Sequence, residues 1–254
     1  MCAVDAAAAA PCTSPVSMNL SAGQHTFSVR STDAAGNQGS AARTWTVECA
    51  APDATGAAGL LHLDTGDQSQ ANAVAGGQPA TLGDTAMPEA TDPMHVAQAR
   101  FGGGFSFDAA QGQKITWPAM LGPTTALTIE VWSNPGAAAG DLVVSGDNRA
   151  GLRMVAAAAG QVRFAITVAN QTLLSAAVPA GQWHHVLASF SEPSLKLWVD
   201  GVRTELDTVT LSGVPVALDS IVIGGSYGGS LDEVWIAQSA ITDDNAALDR
   251  YCPL

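Results

Sequence analysis

The segment Val162-Arg163-Phe164-Ala165-Ile166-Thr167-Val168 repeats with period two, which puts Val162, Phe164, Ile166 and Val168 on one face and Arg163 and Thr167 on the other. A pattern of that period fits a half-buried strand and cannot present a helical stripe. Leu195-Lys196-Leu197-Trp198-Val199 does the same and runs into Asp200-Gly201, a dipeptide that tolerates positive φ at both positions and so predicts a two-residue hairpin. Further strands are predicted over Thr26 to Arg30, Thr44 to Val47, Phe105 to Phe107, Leu127 to Trp132, His185 to Phe190, Ser220 to Ile223 and Leu231 to Ile236. The single predicted helix is a terminal turn with Thr242 as N-cap, running through Asp243, Asp244, Ala246, Ala247 and Leu248, where the aspartates favour the positive end of the dipole. The alanine runs at 6–10 and 156–159 are short, bordered by Gly or Pro, and carry no amphipathic stripe. Many short strands spaced by turn residues make the chain all-β, an antiparallel sandwich or barrel.

With 47% hydrophobic and 13% charged residues among 254, there is material for a large core. The net charge of -13 rests on 23 acidic against 10 basic residues, of which Lys114 and Lys196 are lysines and the arginines are scattered singly. Nucleic acid and anionic membrane surfaces need clustered cations and are excluded as partners, whereas divalent cations are attracted. No apolar run approaches the roughly 20 residues that span a bilayer. The start, Met1-Cys2-Ala3-Val4-Asp5, lacks the basic and apolar regions of a signal peptide. Cys2, Cys12, Cys49 and Cys252 show no metal spacing and read as two disulfides, with three pairings open. The chain is therefore expected to be a piece of a longer exported protein.

A boundary is predicted at 50–56, Ala50-Ala51-Pro52-Asp53-Ala54-Thr55-Gly56, a small-residue linker. Before it, residues 1–49 carry Cys2, Asp5, Pro11-Cys12-Thr13-Ser14-Pro15, Leu20, Gly23-Gln24-His25-Thr26-Phe27-Ser28-Val29-Arg30, Asp33-Ala34-Ala35-Gly36-Asn37 and Thr44-Trp45-Thr46-Val47. This segment resembles the C-terminal half of a bacterial Ig-like repeat. The resemblance implies a bond between Cys2 and Cys12, and an incomplete sandwich with an exposed edge. After the linker, residues 57–254 carry Gly59-Leu60-Leu61-His62-Leu63-Asp64, Phe105-Ser106-Phe107-Asp108, Gly181-Gln182-Trp183-His184-His185-Val186, Leu195 to Gly201 and Leu231-Asp232-Glu233-Val234-Trp235-Ile236. In that order these blocks resemble the laminin G-like, concanavalin A-like jelly-roll family, which implies a two-sheet antiparallel sandwich. Cys49 ends the first segment and Cys252 follows the last strand of the second, and sandwich termini commonly lie close, so Cys49 is expected to bond Cys252.

Some glycosidases share this jelly roll, and the resemblance would place three acids at alternate positions of one strand. Ile129-Glu130-Val131-Trp132-Ser133-Asn134 offers Glu130 alone, so no catalytic residue is assigned. Gly224-Gly225-Ser226-Tyr227-Gly228 satisfies a serine-hydrolase pattern, but a strand follows it and no histidine lies after His185, so it reads as a glycine turn. His184 and His185 are adjacent, point to opposite faces and cannot chelate one ion; one is expected in the core and the other in water. Calcium is the plausible structural ion, with Asp64 and Asp232 converging because first and last strands of the family lie near each other, and Asp147 with Asn148 as a weaker pair. Trp117, before Pro118 at an expected edge, is the candidate for stacking on a sugar. The sequence thus points to an extracellular, non-catalytic binding or adhesion module of a bacterial surface protein that takes carbohydrate or a protein ligand. The alternatives are a carbohydrate-active enzyme or its targeting module, and a structural spacer.

Overall fold

A computed structural model of the chain describes residues 1–16, 18, 20, 23–47, 49–118, 121–211 and 215–251. Strands take 48% of the residues and helix 4%, as an all-β chain requires. The chain divides into two compact units, Met1–Ala50 and Ala51–Tyr251.

In the first unit β1 (Cys2–Val4), β2 (Gly23–Thr32) and β3 (Gln38–Val47) form an antiparallel sheet in that order. Cys2 and Cys12 are joined by a disulfide. Cys49 is disulfide-bonded as well, and Cys252, its expected partner, lies outside the described residues.

The second unit begins with β4 (Gly59–Leu61), β5 (Ser69–Gln70), β6 (Ala80–Leu82), β7 (Met94–Val96), β8 (Gly104–Phe107), β9 (Lys114–Trp117), β10 (Pro123–Thr124), β11 (Ala126–Pro135), β12 (Gly140–Ser145) and β13 (Ala150–Ala156). It continues with β14 (Gln161–Val168), β15 (Gln171–Leu174), β16 (Val178–Pro179), β17 (His184–Ser191), β18 (Ser194–Val199), β19 (Val202–Leu206), β20 (Val216–Ala217), β21 (Ile221–Gly224), β22 (Gly229–Ala237) and the helix α1 (Asp244–Arg250). A front sheet runs β19-β18-β17-β11-β22-β8-β7, with β4 also paired to β22. A back sheet runs β15-β14-β13-β12-β21-β9-β6-β5, with β16 paired to β14. Their inner faces meet in one apolar core that includes Phe105, Ile115, Trp117, Phe164, Leu197, Ile223 and Leu231.

Local sequence explains the strands well. Val162, Phe164, Ile166 and Val168 of β14 are buried, while Arg163 is exposed. Asp200 and Gly201 adopt φ of 50° and 76° and close the β18–β19 hairpin with Val199 opposite Val202. A second hairpin of the same kind uses Ala169 and Asn170, at φ 49° and 68°, between Val168 and Gln171. Its turn was illegible because alanine seldom takes positive φ. The helix is capped by Asp243, one residue beyond the expected Thr242, with its carboxylate accepting from the Asn245 amide. The stretch expected as a linker, 50–56, is partly a cover, since its Ala54 packs on the cluster of Leu60, Trp235 and Ala237.

The two hairpins make opposite predictions. Ala169→Gly relieves a left-handed alanine and should raise stability by about 0.5–1 kcal/mol. Gly201→Ala imposes that strain and brings a Cβ to 2.9 Å from Leu248 Cδ2, so it should lower stability by at least about 1 kcal/mol. Urea midpoints of the two variants that move in the same direction would refute the turn assignment.

Candidate functional site

The two outer faces of the sandwich differ. On the front sheet the outward side chains of β11, β17 and β22 are sealed. Leu187 and Trp198 are covered by Ala247 and Ile241, and Trp198 Nε1 donates to Asp244 Oδ1 at 3.1 Å. Arg250 lies over the Trp235 ring, 4.1 Å from its centroid, and Tyr251 stacks on His185 at 5.8 Å. Arg100 sits 4.5 Å from the Trp132 centroid, with Phe101 edge-on to the same ring at 5.5 Å. Beneath this cover Glu130 has no exposed surface, and its carboxylate takes His185 Nε2 at 2.9 Å on one oxygen and Arg250 Nε on the other. His184 points the opposite way, toward Phe164, and bonds Asp200 at 2.6 Å. Both histidines are buried, so neither faces water as the sequence reading expected; the cover over the outer face is the reason.

At the β4–β22 end of the same face a bulge changes the alternation. Asp232 lies opposite Trp132 and Trp235 opposite Glu130, so Glu233 and Val234 share Val131. Glu233 takes φ 53°, and the bulge turns two consecutive acids outward while Val234 and Ile236 stay in the core. Asp232 Oδ2 accepts from the Phe101 amide at 2.7 Å, and Asp64 Oδ1 accepts from the Gly103 amide at 3.0 Å. One loop therefore holds both carboxylates, and glycine is required in it: a Cβ on Gly102 would stand 2.4 Å from Asp64 Oδ1. Asp232 Oδ1 and Glu233 Oε1 are buried without hydrogen-bond partners, while Glu233 Oε2 lies 2.7 Å from His62 Nδ1.

Burial pushes the Asp232 carboxyl up to about 7, with the charge of Asp64 acting in the same direction against the amides of Phe101 and Arg100. Burial, then the charges of Asp232, Asp64 and Glu130, pushes Glu233 up to about 9. The oxygens that these two carboxyls leave unpartnered suit a hard divalent cation. No three Asp, Glu, His or Cys side chains form a metal-binding group among the described residues, so further ligands would be backbone carbonyls and water.

The other residues singled out by the sequence fall elsewhere. Trp117 has no exposed surface, and its indole N–H donates to the Gln78 carbonyl at 2.8 Å, so it cannot stack on a sugar. The Pro118 signal misled because β9 lies inside the back sheet between β21 and β6, where the ring fills the core beneath Gly59. Asp147 accepts from Ser145, Arg149 and Ala217, and Asn148 Oδ1 accepts from Arg153, so this pair is engaged in closing its own loop. Ser226 sits in the bend between β21 and β22 and bonds Asp141, away from any histidine.

The back sheet presents a polar outer face. One transverse row runs Thr81, Thr116, Val222, Val144, Gly151, Thr167 and Thr172, and the next runs Asp141, Arg153, Ala165 and Leu174. Arg153 is fixed by Asp141 Oδ1 at 2.7 Å and by Asn148. Gly151 leaves it room, since a Cβ there would meet the guanidinium at 2.8 Å. Threonine hydroxyls and a fixed guanidinium on a pleated surface form a hydrogen-bonding platform. The sequence reading missed it because its members lie on seven strands.

Residues 108–247 match the Concanavalin A-like lectin/glucanases superfamily. Among solved structures, domain 4 of a GH43 extracellular arabinanase from Geobacillus stearothermophilus, in complex with arabinotriose, superposes with a TM-score of 0.56 at 18% identity, over 77% of this chain and 98% of that domain. The Botulinum neurotoxin serotype D ligand binding domain with N-acetylneuraminic acid gives 0.56 at 11% identity, over 77% of this chain and 50% of that one. The Trypanosoma rangeli sialidase with sialic acid gives 0.55 at 14% identity, over 78% of this chain and 32% of the sialidase. Among curated protein sequences none matches.

The buried acids predict a pH profile. Both carboxyls hold their proton more tightly folded than unfolded, so their contribution is fully present below the unfolded pKa and is lost as pH rises through about 7 and about 9. In EDTA the urea midpoint should fall steadily from about pH 5 to about pH 9, and Glu233→Gln should remove the upper part of that fall. A flat profile, or an unchanged slope in the variant, would show that the two acids are not buried as described.

Proposed function

Because the chain belongs to the Concanavalin A-like lectin/glucanases superfamily, we propose that Ala51–Tyr251 is a non-catalytic carbohydrate-binding module that works outside the cell as part of a larger bacterial surface protein. The observation that carries the reading is the contrast between the two outer faces. The front face is sealed by α1, Ile241 and Tyr251, while the back face offers half-buried and exposed hydroxyls beside a pinned arginine. Sugars are recognised by such fixed donors and acceptors on a concave or flat surface. Support also comes from the arabinanase domain and the neurotoxin domain, which carry arabinotriose and N-acetylneuraminic acid on the same fold. An exported setting agrees with the Cys2–Cys12 disulfide, and no helix among the described residues is long and apolar enough to cross a membrane.

The absence of catalysis is part of the proposal. Hydrolysis of a glycosidic bond needs two carboxyls about 5 to 9.5 Å apart with the bond between them. Glu130 is committed to His185 and Arg250 beneath the cover, which supports binding without turnover. Calcium belongs to the proposal as a structural ion held by Asp64 and Asp232, where it would offset the repulsion between two neighbouring carboxylates.

A glycan array run with millimolar calcium and again with EDTA tests the reading. Binding is expected, and Arg153→Ala should weaken it about tenfold or more, since a charge-assisted hydrogen bond is lost. The melting temperature should rise with the logarithm of free calcium, and Asp232→Asn should abolish the rise. No hydrolysis of β-glucans or simple esters is expected. Turnover that Glu130→Gln removes would overturn the non-catalytic reading, and glycan binding unchanged by Arg153→Ala would move the site off the back sheet.

A further inference from the structure

The sheet of the first unit ends in β3, which pairs with β2 from Thr32 opposite Gln38 to Gly23 opposite Val47, and with no other strand among the described residues. The backbone groups that β3 leaves unused follow from the pairing of β2. Thr26 N donates to Asp5 Oδ1, Asp5 N to Thr26 O, and Arg30 N to Met1 O. The even-numbered residues of β2 therefore aim their backbone groups toward β1 and the odd-numbered ones toward β3. Phe27 lies opposite Arg43 and Thr26 opposite Thr44, so β3 spends its odd-numbered groups on β2. Ser40, Ala42, Thr44 and Thr46 are left with N–H and C=O pointing away from the sheet.

Natural sheets blunt such an edge with Lys, Pro, a bulge or a cover. Gln38-Gly39-Ser40-Ala41-Ala42-Arg43-Thr44-Trp45-Thr46-Val47 contains neither Lys nor Pro and pairs with β2 without a register shift, and its residues up to Thr44 are exposed. Its one charged side chain is Arg43, which lines an apolar groove with Val16, Met18, Leu20, Phe27, Trp45 and Val47.

We propose that β3 is a self-association edge, which pairs antiparallel with β3 of a second copy of this chain about a twofold axis at Thr44. In that register the free backbone groups meet, Thr44 opposite Thr44 and Ala42 opposite Thr46. On the groove face Arg43 lies opposite Trp45 of the second copy, twice by symmetry, and Ala41 opposite Val47. Charge and shape select this register. An axis at Arg43 sets two guanidinium groups directly opposite, while an axis at Ala42 faces Trp45 with Gly39. An Arg over a Trp ring and a pair of threonines are favourable cross-strand partners. A single edge buries less than a standard interface, so the dimer is weak and depends on concentration.

Sedimentation velocity on the full chain over a concentration series tests the pairing. Dimer should grow with concentration. Ala42→Pro should raise the dissociation constant about tenfold or more, because it removes an edge hydrogen bond at two symmetric positions, and should leave the melting temperature unchanged because that N–H points out of the sheet. Thr44→Lys and Thr44→Glu should each weaken the homodimer several-fold by placing like charges opposite across the axis, and mixing the two variants in equal amounts should restore dimer. A chain that stays monomeric at several hundred micromolar overturns the proposal and points to a strand from a different partner. A dimer that survives Ala42→Pro, or one lost in the Thr44 variants and not regained on mixing, overturns it equally.

Discussion

A carboxylate in the middle of a sheet must be paired or neutral, and the architecture of Ala51–Tyr251 turns on how Glu130 meets that requirement. Glu130 sits on β11, between β17 and β22, with no exposed surface. Leaving it alone there would cost several kcal/mol, so its oxygens go to His185 from β17 and Arg250 from the end of α1. The helix is short and buries only Ala247 of its own residues, which is little apolar area to hold it. Arg250 on Glu130, Arg203 on Asp244 and Trp198 Nε1 on the same aspartate do the holding. One buried charge thereby determines which face of the sandwich is closed, and by elimination which is open.

The bulge at Glu233 solves a related problem in the opposite direction. Without it, strict alternation after Leu231 would send Glu233 into the core and Val234 outward. With it, Val234 and Ile236 keep their apolar places, and two acids gather beside Asp64. The arrangement is unfavourable as it stands: a left-handed glutamate, two unpartnered oxygens and raised pKa values. Strain and unmet polar groups of this kind collect at functional positions, and a divalent cation would relieve both the repulsion and the unused lone pairs.

What the sequence made legible follows from whether a local rule was also the global one. β14 and the Asp200-Gly201 hairpin were readable because alternation and turn chemistry there agree with the sandwich. Asp64 and Asp232 were named from opposite ends of the chain through family resemblance, and no local pattern would have joined them. Glu233 was hidden because a bulge has no period, although a second acid inside an apolar strand was a signal that could have been weighed. Trp117 was misjudged because a proline after a strand marks an edge only when no neighbour follows, and β6 and β21 flank it. The platform of the back sheet is invisible in sequence, since Thr116, Thr167 and Arg153 become neighbours only through pairing.

The arginines show why composition could exclude partners and still say little about the site. Scattered singly, they offer nothing to a polyanion. In the fold seven of the eight are spent on a particular oxygen or ring: Arg30 on Gln38, Arg153 on Asp141, Arg149 on the carbonyls of Pro215 and Leu211, Arg163 on that of Ser175, Arg203 on Asp244, Arg250 on Glu130 and Trp235, and Arg100 on Trp132. A chain with ten basic residues against 23 acidic ones thus uses guanidinium groups as fixed ties between strands and loops. The surface potential is left to the acids, at a net charge of -13. On the outer face of the back sheet Arg153, held by Asp141 and Asn148, and Arg163, held by the Ser175 carbonyl, have their geometry set by the fold itself. Preorganisation of that kind lowers the ordering cost of binding, so under the proposed function the same scarcity of charge that argues against nucleic acid would let a small number of fixed polar groups define a sugar site.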